Sequence, residues 1–212
     1  MASPTWGGMV RALVPMLALA AVGLSADSGS AAPPSPDQLA PNVIARVSDV
    51  PERTGTITRA EYRRALVQAA AADGRRGAPS PGSRPYRRLK RTAVSGLLEA
   101  VWLKGQAAEM HIVVTHGQVV RERTRLKREG FESAAEYREF LREAHYNRRD
   151  VYERVELQLL STRIQRRIEK QIRTKSEEQQ VFDEFLAEFN RKWRARTVCA
   201  PAYAIHRCAN AV

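Results

Sequence analysis

The stretch YRRLKRTAVSGLLEAVWLKGQAAEM, residues 86–110, decides the fold. Leu89, Ala93, Leu97, Val101 and Ala108 recur at helical spacing, and Val94, Leu98 and Trp102 widen the stripe. A long helix with so broad an apolar face has to be covered, and the segments on either side read as the helices that cover it. Downstream, Thr115 with Gln118 and Ser133 with Glu136 have the spacing of a capping box, which predicts helices over roughly 116–128 and 134–144, separated by Gly130 and Phe131. Asn147 with Asp150 opens the next helix, whose stripe of Val151, Val155, Leu159, Leu160, Ile164, Ile168 and Ile172 reaches about Arg173. A last helix starts near Ser176 and carries Phe182, Phe185, Phe189 and Trp193 on one face.

Upstream, Thr58 sits three residues before Glu61 and opens a helix to about Ala72. The Gly-, Pro- and Arg-dense segment 73–85 is a loop, and its Arg75, Arg76 and Arg84 read as solvated charge rather than as an anion grip. Val43, Ile44 and Val47 form a short β-branched run that suits a strand. Pro201 stops any helix, and Tyr203, Ala204 and Ile205 are the expected strand partners of residues 43–47. The fold class is therefore mostly α, about six helices with a short two-stranded pairing of the N- and C-terminal segments. No fixed-period repeat argues for a solenoid.

The 212-residue chain carries 35 Lys and Arg against 23 Asp and Glu, a net charge of +12. Such a body attracts anionic partners, but charge alone does not choose among nucleic acid, acidic membrane, envelope polymer or acidic protein. The compartment is read from the N-terminus. Arg11 precedes the apolar stretch from Ala12 to Leu24, and small residues follow through Ala32, the layout of a signal peptide over residues 1–31. Pro15 and a length well under the ~20 residues of a spanning helix make a permanent membrane anchor the weaker reading. Gly29 and Ala31 suit a cut before Ala32, and a cut after Ala26 also fits. Residues 32–41, APPSPDQLAP, form a Pro-rich tether, and the domain runs from 42 to 212. Losing residues 1–31 removes one Arg and one Asp, so the exported body keeps its +12. In an oxidising compartment Cys199 and Cys208 are expected to pair, since two cysteines without neighbouring ligands fall short of a zinc site.

Chemistry is hard to find. His111, His116, His145 and His206 are scattered, with neither HExxH nor Glu-x-x-His spacing. There is no nucleophile elbow, phosphate-cradling loop or dinucleotide fingerprint. Glu136, Glu139, Glu143, Glu153 and Glu156 alternate with Arg138, Arg142, Arg149 and Arg154 at helical spacing, so they read as solvated pairs rather than as acid and base.

The order of the pieces resembles the N-terminal domain of SurA-type periplasmic chaperones and the related PrsA-type foldases. IARVSDV followed by ITRAEYRRAL is similar to that family's strand, turn and capped helix. LLEAVWLKGQAAEMHIVVTHGQV, residues 97–119, resembles its Trp-bearing helix and the Ile-Val-Thr step into the next one. GFESAAEYREFLREAHYNRRDVYERVELQLL, residues 130–160, resembles its most typical block, and FNRKWRARTVCAPAYAIHRCAN is similar to the tail of foldase-like proteins. The resemblance implies an orthogonal helical array whose cleft holds unfolded or nascent exported polypeptides, without a cofactor. It implies no isomerase activity, because the parvulin domain that would separate the last two long helices needs about 100 residues, and only a short link near Thr174 and Ser176 stands there. The candidates for an Arg-rimmed apolar groove are Leu97, Val101, Trp102, Phe140, Leu141 and Tyr152. The alternative is a basic scaffold on an anionic envelope surface or polymer; no DNA-binding motif points to a specific nucleic acid.

Overall fold

A computed structural model describes residues 35–211; the signal-peptide layout, the start of the tether and the final Val212 lie outside the described residues. The tether's second half holds a single 3-10 turn, Pro36–Gln38. In chain order the elements are β1 (Val43–Val47), α1 (Glu52–Gly55), β2 (Thr56–Thr58), α2 (Arg59–Ala72), α3 (Arg84–Glu109), α4 (His116–Gly130), α5 (Ala134–Glu143), α6 (Arg148–Glu169), α7 (Glu178–Ala195) and β3 (Thr197–Cys199), with a 3-10 turn at Pro201–Tyr203. The chain is mostly helical, and its three short strands form one antiparallel sheet in the order β2-β1-β3.

Helix starts follow their caps. The Thr58 hydroxyl accepts the Glu61 amide at 3.2 Å, and the Glu61 carboxylate accepts the Thr58 amide at 2.7 Å. Thr115 with Gln118 and Asn147 with Asp150 close the same reciprocal pairs. Ser133 caps α5, but Glu136 reaches one residue further back, to the amide of Glu132 at 2.7 Å. Asp73, which ends α2, accepts from Arg75 and Arg88, hydrogen bonds that hold its carboxyl below the usual carboxylate range. Arg75 is therefore tied to its own loop.

Helix ends departed from expectation. α6 stops at Glu169 instead of reaching Arg173, and α7 begins at Glu178, two residues after Ser176. α3 and α5 end in the same device. The amide of His111 bonds to Ala108 and that of Ile112 to Ala107, with His111 at φ 54°; the amide of His145 bonds to Arg142 and that of Tyr146 to Leu141, with His145 at φ 54°. These are Schellman caps with histidine in the left-handed position where glycine is commonest.

The expected strand over Tyr203–Ile205 does not form. β1 instead pairs with Thr197–Cys199, with Ala45 opposite Cys199 and Val47 opposite Thr197, and with β2 on its other edge. The reason is the disulfide. Cys199 and Cys208, both fully buried, are bonded with their Cα atoms 5.8 Å apart. That closure folds residues 200–208 back as a loop, while Asn210 brackets Cys199, donating to its carbonyl at 2.8 Å and accepting from its amide at 3.0 Å.

One core joins the sheet to α2, α3, the end of α7 and the disulfide loop, through Ile44, Leu66, Leu98, Trp102, Trp193 and Ile205 among others. Trp193 donates its indole N–H to Gln106 at 3.1 Å and lies against Gly105, where an added Cβ would stand 2.8 Å from the ring carbon Cζ3 and 2.8 Å from Val50 Cγ1. A mid-helix Gly→Ala ordinarily stabilises by about 1 kcal/mol. Here crowding outweighs propensity, and Gly105→Ala is expected to lower the unfolding free energy by about 1–3 kcal/mol. Urea denaturation measures it; a gain in stability would mean that Trp193 does not occupy this seat.

Candidate functional site

A second apolar cluster lies where the end of α3 meets α6 and α7. Ala107, Leu160, Ile164 and Ile168 are its buried members, while Leu103, Met110, Ile112, Val114, Val181, Phe182 and Phe185 are half-buried around them. Partial cover predominates, the reverse of the main core, where buried residues outnumber half-buried ones.

The Schellman cap at His111 turns the chain out of α3 into a segment without helix or strand, Ile112–Val114, before Thr115, in extended conformation, starts α4. This segment is β-branched throughout, and Val113 is 72% exposed, the one large hydrophobic side chain fully out in solvent among the described residues. The amides of Val113 and Val114 have no acceptor among the described residues. Two guanidinium groups of α6 hold the segment from behind: Arg163 donates to the Val113 carbonyl, and Arg167 to the Met110 carbonyl at 3.4 Å. Arg163, Arg166, Arg167 and Lys170 recur at i, i+3, i+4 and i+7, which sets three cations on one face of α6 and the fourth at its C-cap. With Ile112 they line a depression of about 220 Å³. None of the four makes an ion pair with a described residue. The arrangement offers a half-covered apolar floor, a backbone segment with two amides lacking acceptors among the described residues, and a cationic rim.

Of the six residues expected to line a groove, two are core residues: Val101 and Trp102 are 7% and 1% exposed. Trp102 donates its indole N–H to the Thr197 hydroxyl at 2.8 Å and meets Phe189 edge-on at 6.0 Å, and one side of it borders the open pocket beside Asn190, Arg191 and Arg207. Leu97 is half-buried against the same core. Phe140 belongs to an aromatic group with Phe131 and Tyr146, at centroid distances of 5.2 and 6.0 Å, and Leu141 is half-buried on the same helix. Burial there pushes the Tyr137 and Tyr146 phenols up, against the pull of Arg123 and Arg154 respectively. Tyr152 stacks on His116 at 5.3 Å, with its hydroxyl 3.1 Å from Nδ1.

The expected surface pairs include Arg142 with Glu139, while Glu153 and Glu156 both meet Lys104 of α3. Helical periodicity located the α3 stripe correctly but could not say that β3 and Trp193 return to cover it. The signals for this candidate site were present: the run Ile112-Val113-Val114, and the four cations at one-face spacing at the end of α6.

Comparison with protein-family models, curated proteins and solved structures finds no match. The site is read from its own chemistry.

If Val113 serves a partner rather than the fold, Val113→Ser should change the unfolding free energy by no more than about 0.5 kcal/mol. Ile164→Ala, at the buried base of the same cluster, should cost roughly 2–5 kcal/mol. Parallel denaturation curves test the contrast, and a loss at Val113 as large as that at Ile164 would make the segment part of the core.

Proposed function

We propose that this chain is an exported chaperone-like module that holds extended segments of unfolded polypeptide. The observation that carries the reading is the exposed Val113, in a segment whose amides at 113 and 114 have no acceptor among the described residues, beside a cluster whose outer members, Phe182 and Phe185 among them, are only half-buried. An extended client segment can donate and accept main-chain hydrogen bonds along that stretch, as in strand addition, and its apolar side chains can enter the partly covered cluster beside Phe182 and Phe185. Main-chain recognition suits a partner without a fixed sequence. Arg166 and Lys170 supply donors for client carbonyls or carboxylates at the rim.

The resemblance of residues 42–210 to SurA- and PrsA-type N-terminal domains supports the same reading. Export rests on the layout of residues 1–31 together with the buried Cys199–Cys208 bond, which suits an oxidising compartment. The reading needs no cofactor and no isomerase chemistry: α6 and α7 are joined by residues 170–177 alone, where related foldases carry a catalytic domain.

The purified, disulfide-bonded chain is expected to suppress light scattering by an aggregating unfolded protein at near-stoichiometric ratio, at both low and moderate salt. Val113→Asp should remove most of the suppression without unfolding the chain. Suppression that disappears with salt would replace this reading by the electrostatic scaffold, because charge contacts to anionic polymers weaken steeply as salt rises. Turnover in a proline-isomerisation assay at catalytic concentration would replace it by an enzyme.

A further inference from the structure

The C-terminal end of α7 and the disulfide loop border a second pocket, open to solvent and of about 610 Å³, remote in sequence from the Ile112–Val114 segment. Asn190, Arg191 and Arg194 line it from the last turns of α7, His206 and Arg207 line it from the disulfide loop, and Trp102 lies at its base.

Arg207 is held from three directions. Its guanidinium lies over the Trp102 ring at 5.3 Å, it pairs with Glu99, and its loop is closed by the Cys199–Cys208 bond and the Asn210 bracket. Its Nε is nevertheless a buried donor with no acceptor among the described residues. Arg191 and Arg194 make no ion pair among the described residues. The pocket's field is felt by His206: burial lowers its pKa, and Arg207, Arg194 and Arg91 lower it further, with Glu99 alone opposing them.

We propose that this pocket is an oxyanion site taking a phosphate group, with Arg191, Arg194 and Arg207 as its ligands. Guanidinium forks match phosphate oxygens in geometry and charge, and an anchored fork loses less freedom on binding than a free one. Arg207 is anchored, whereas Arg191 and Arg194 project from a helix whose end is fixed by Trp193. The disulfide thus has a task beyond stability: it fixes His206 and Arg207 opposite the two arginines of α7. An anion in the pocket favours the imidazolium, so binding strengthens as pH falls through the His206 transition, and binding raises that transition in turn.

The test is calorimetric titration of the intact chain with inorganic phosphate, alongside NMR titration of the His206 imidazole. Saturable binding of one phosphate per chain is expected. Arg191→Gln with Arg194→Gln should weaken it by at least about tenfold. Arg63→Gln with Arg128→Gln, which removes the same charge elsewhere, should leave it within about twofold, and the His206 pKa should rise on binding. A glycerol-phosphate oligomer separates two sources of the same chemistry: tighter binding that displaces phosphate points to a polymer phosphodiester, and failure to displace it points to the free ion. Equal weakening by both double variants, absence of saturable binding of either probe, or a His206 transition unmoved by saturating phosphate would overturn the proposal.

Discussion

Trp193 against Gly105 is the contact on which the rest of the arrangement depends. It sets the end of α7 on the C-terminal turns of α3, and two polar links make that placement specific. Gln106 accepts from both the Trp193 indole and Lys192, and the buried Thr197 hydroxyl accepts from Trp102 while donating to the Trp193 carbonyl at 2.7 Å. Both indoles and the Thr197 hydroxyl thus have their acceptors, and a buried indole N–H left without one would cost about 1–3 kcal/mol. Around this seat Glu109 accepts from Lys192 and Arg196; burial disfavours its ionisation, but the two hydrogen bonds prevail and hold its carboxyl below the usual range. Once α7 is seated, the next residues are placed beside β1, where the Cys199–Cys208 bond folds the following loop back against β3.

The charge is not uniformly idle. Arg125 lies between Glu122 and Glu129 on α4, Lys104 bridges α3 to two glutamates of α6, and Arg196 meets Asp49 as well as Glu109. Exposed pairs of this kind contribute little to stability, roughly 0–1 kcal/mol each. Their effect is to consume cations locally. Of the cations left without a partnering carboxylate among the described residues, those at the end of α6 and on the last turns of α7 stand beside concave surfaces, one next to Ile112 and one next to the disulfide loop.

What the sequence revealed, and what it hid, divides along the range of the interactions. Every helix start announced by a side chain three residues from its partner was legible, because Thr58, Thr115, Ser133 and Asn147 act within one turn. The ends were harder: His111 and His145 terminate helices in a conformation whose usual signature is glycine, so their spacing suggested scattered surface histidines instead. The pairing of the two chain ends was legible as an idea but misplaced by several residues, since Tyr203–Ile205 has the better strand composition and only the closure at Cys208 excludes it. Burial of Trp102 was unreadable for a related reason. What covers it is Thr197, Phe189 and Arg207, all close to a hundred residues further along the chain.

α7 itself joins the two regimes. Its C-terminal half is anchored by a fully buried Trp193, while its N-terminal half presents Val181, Phe182 and Phe185 to a cluster that covers them only in part. Its first turn lacks a side-chain cap, and residues 170–177 link it to α6 through turns. Local opening is easiest where few apolar contacts are buried, so this half of the helix can adjust while the other half stays fixed. The proposed holding of polypeptides of varied shape rests on that division: a rigid seat that keeps the fold, and next to it an apolar surface that the rest of the chain covers only in part.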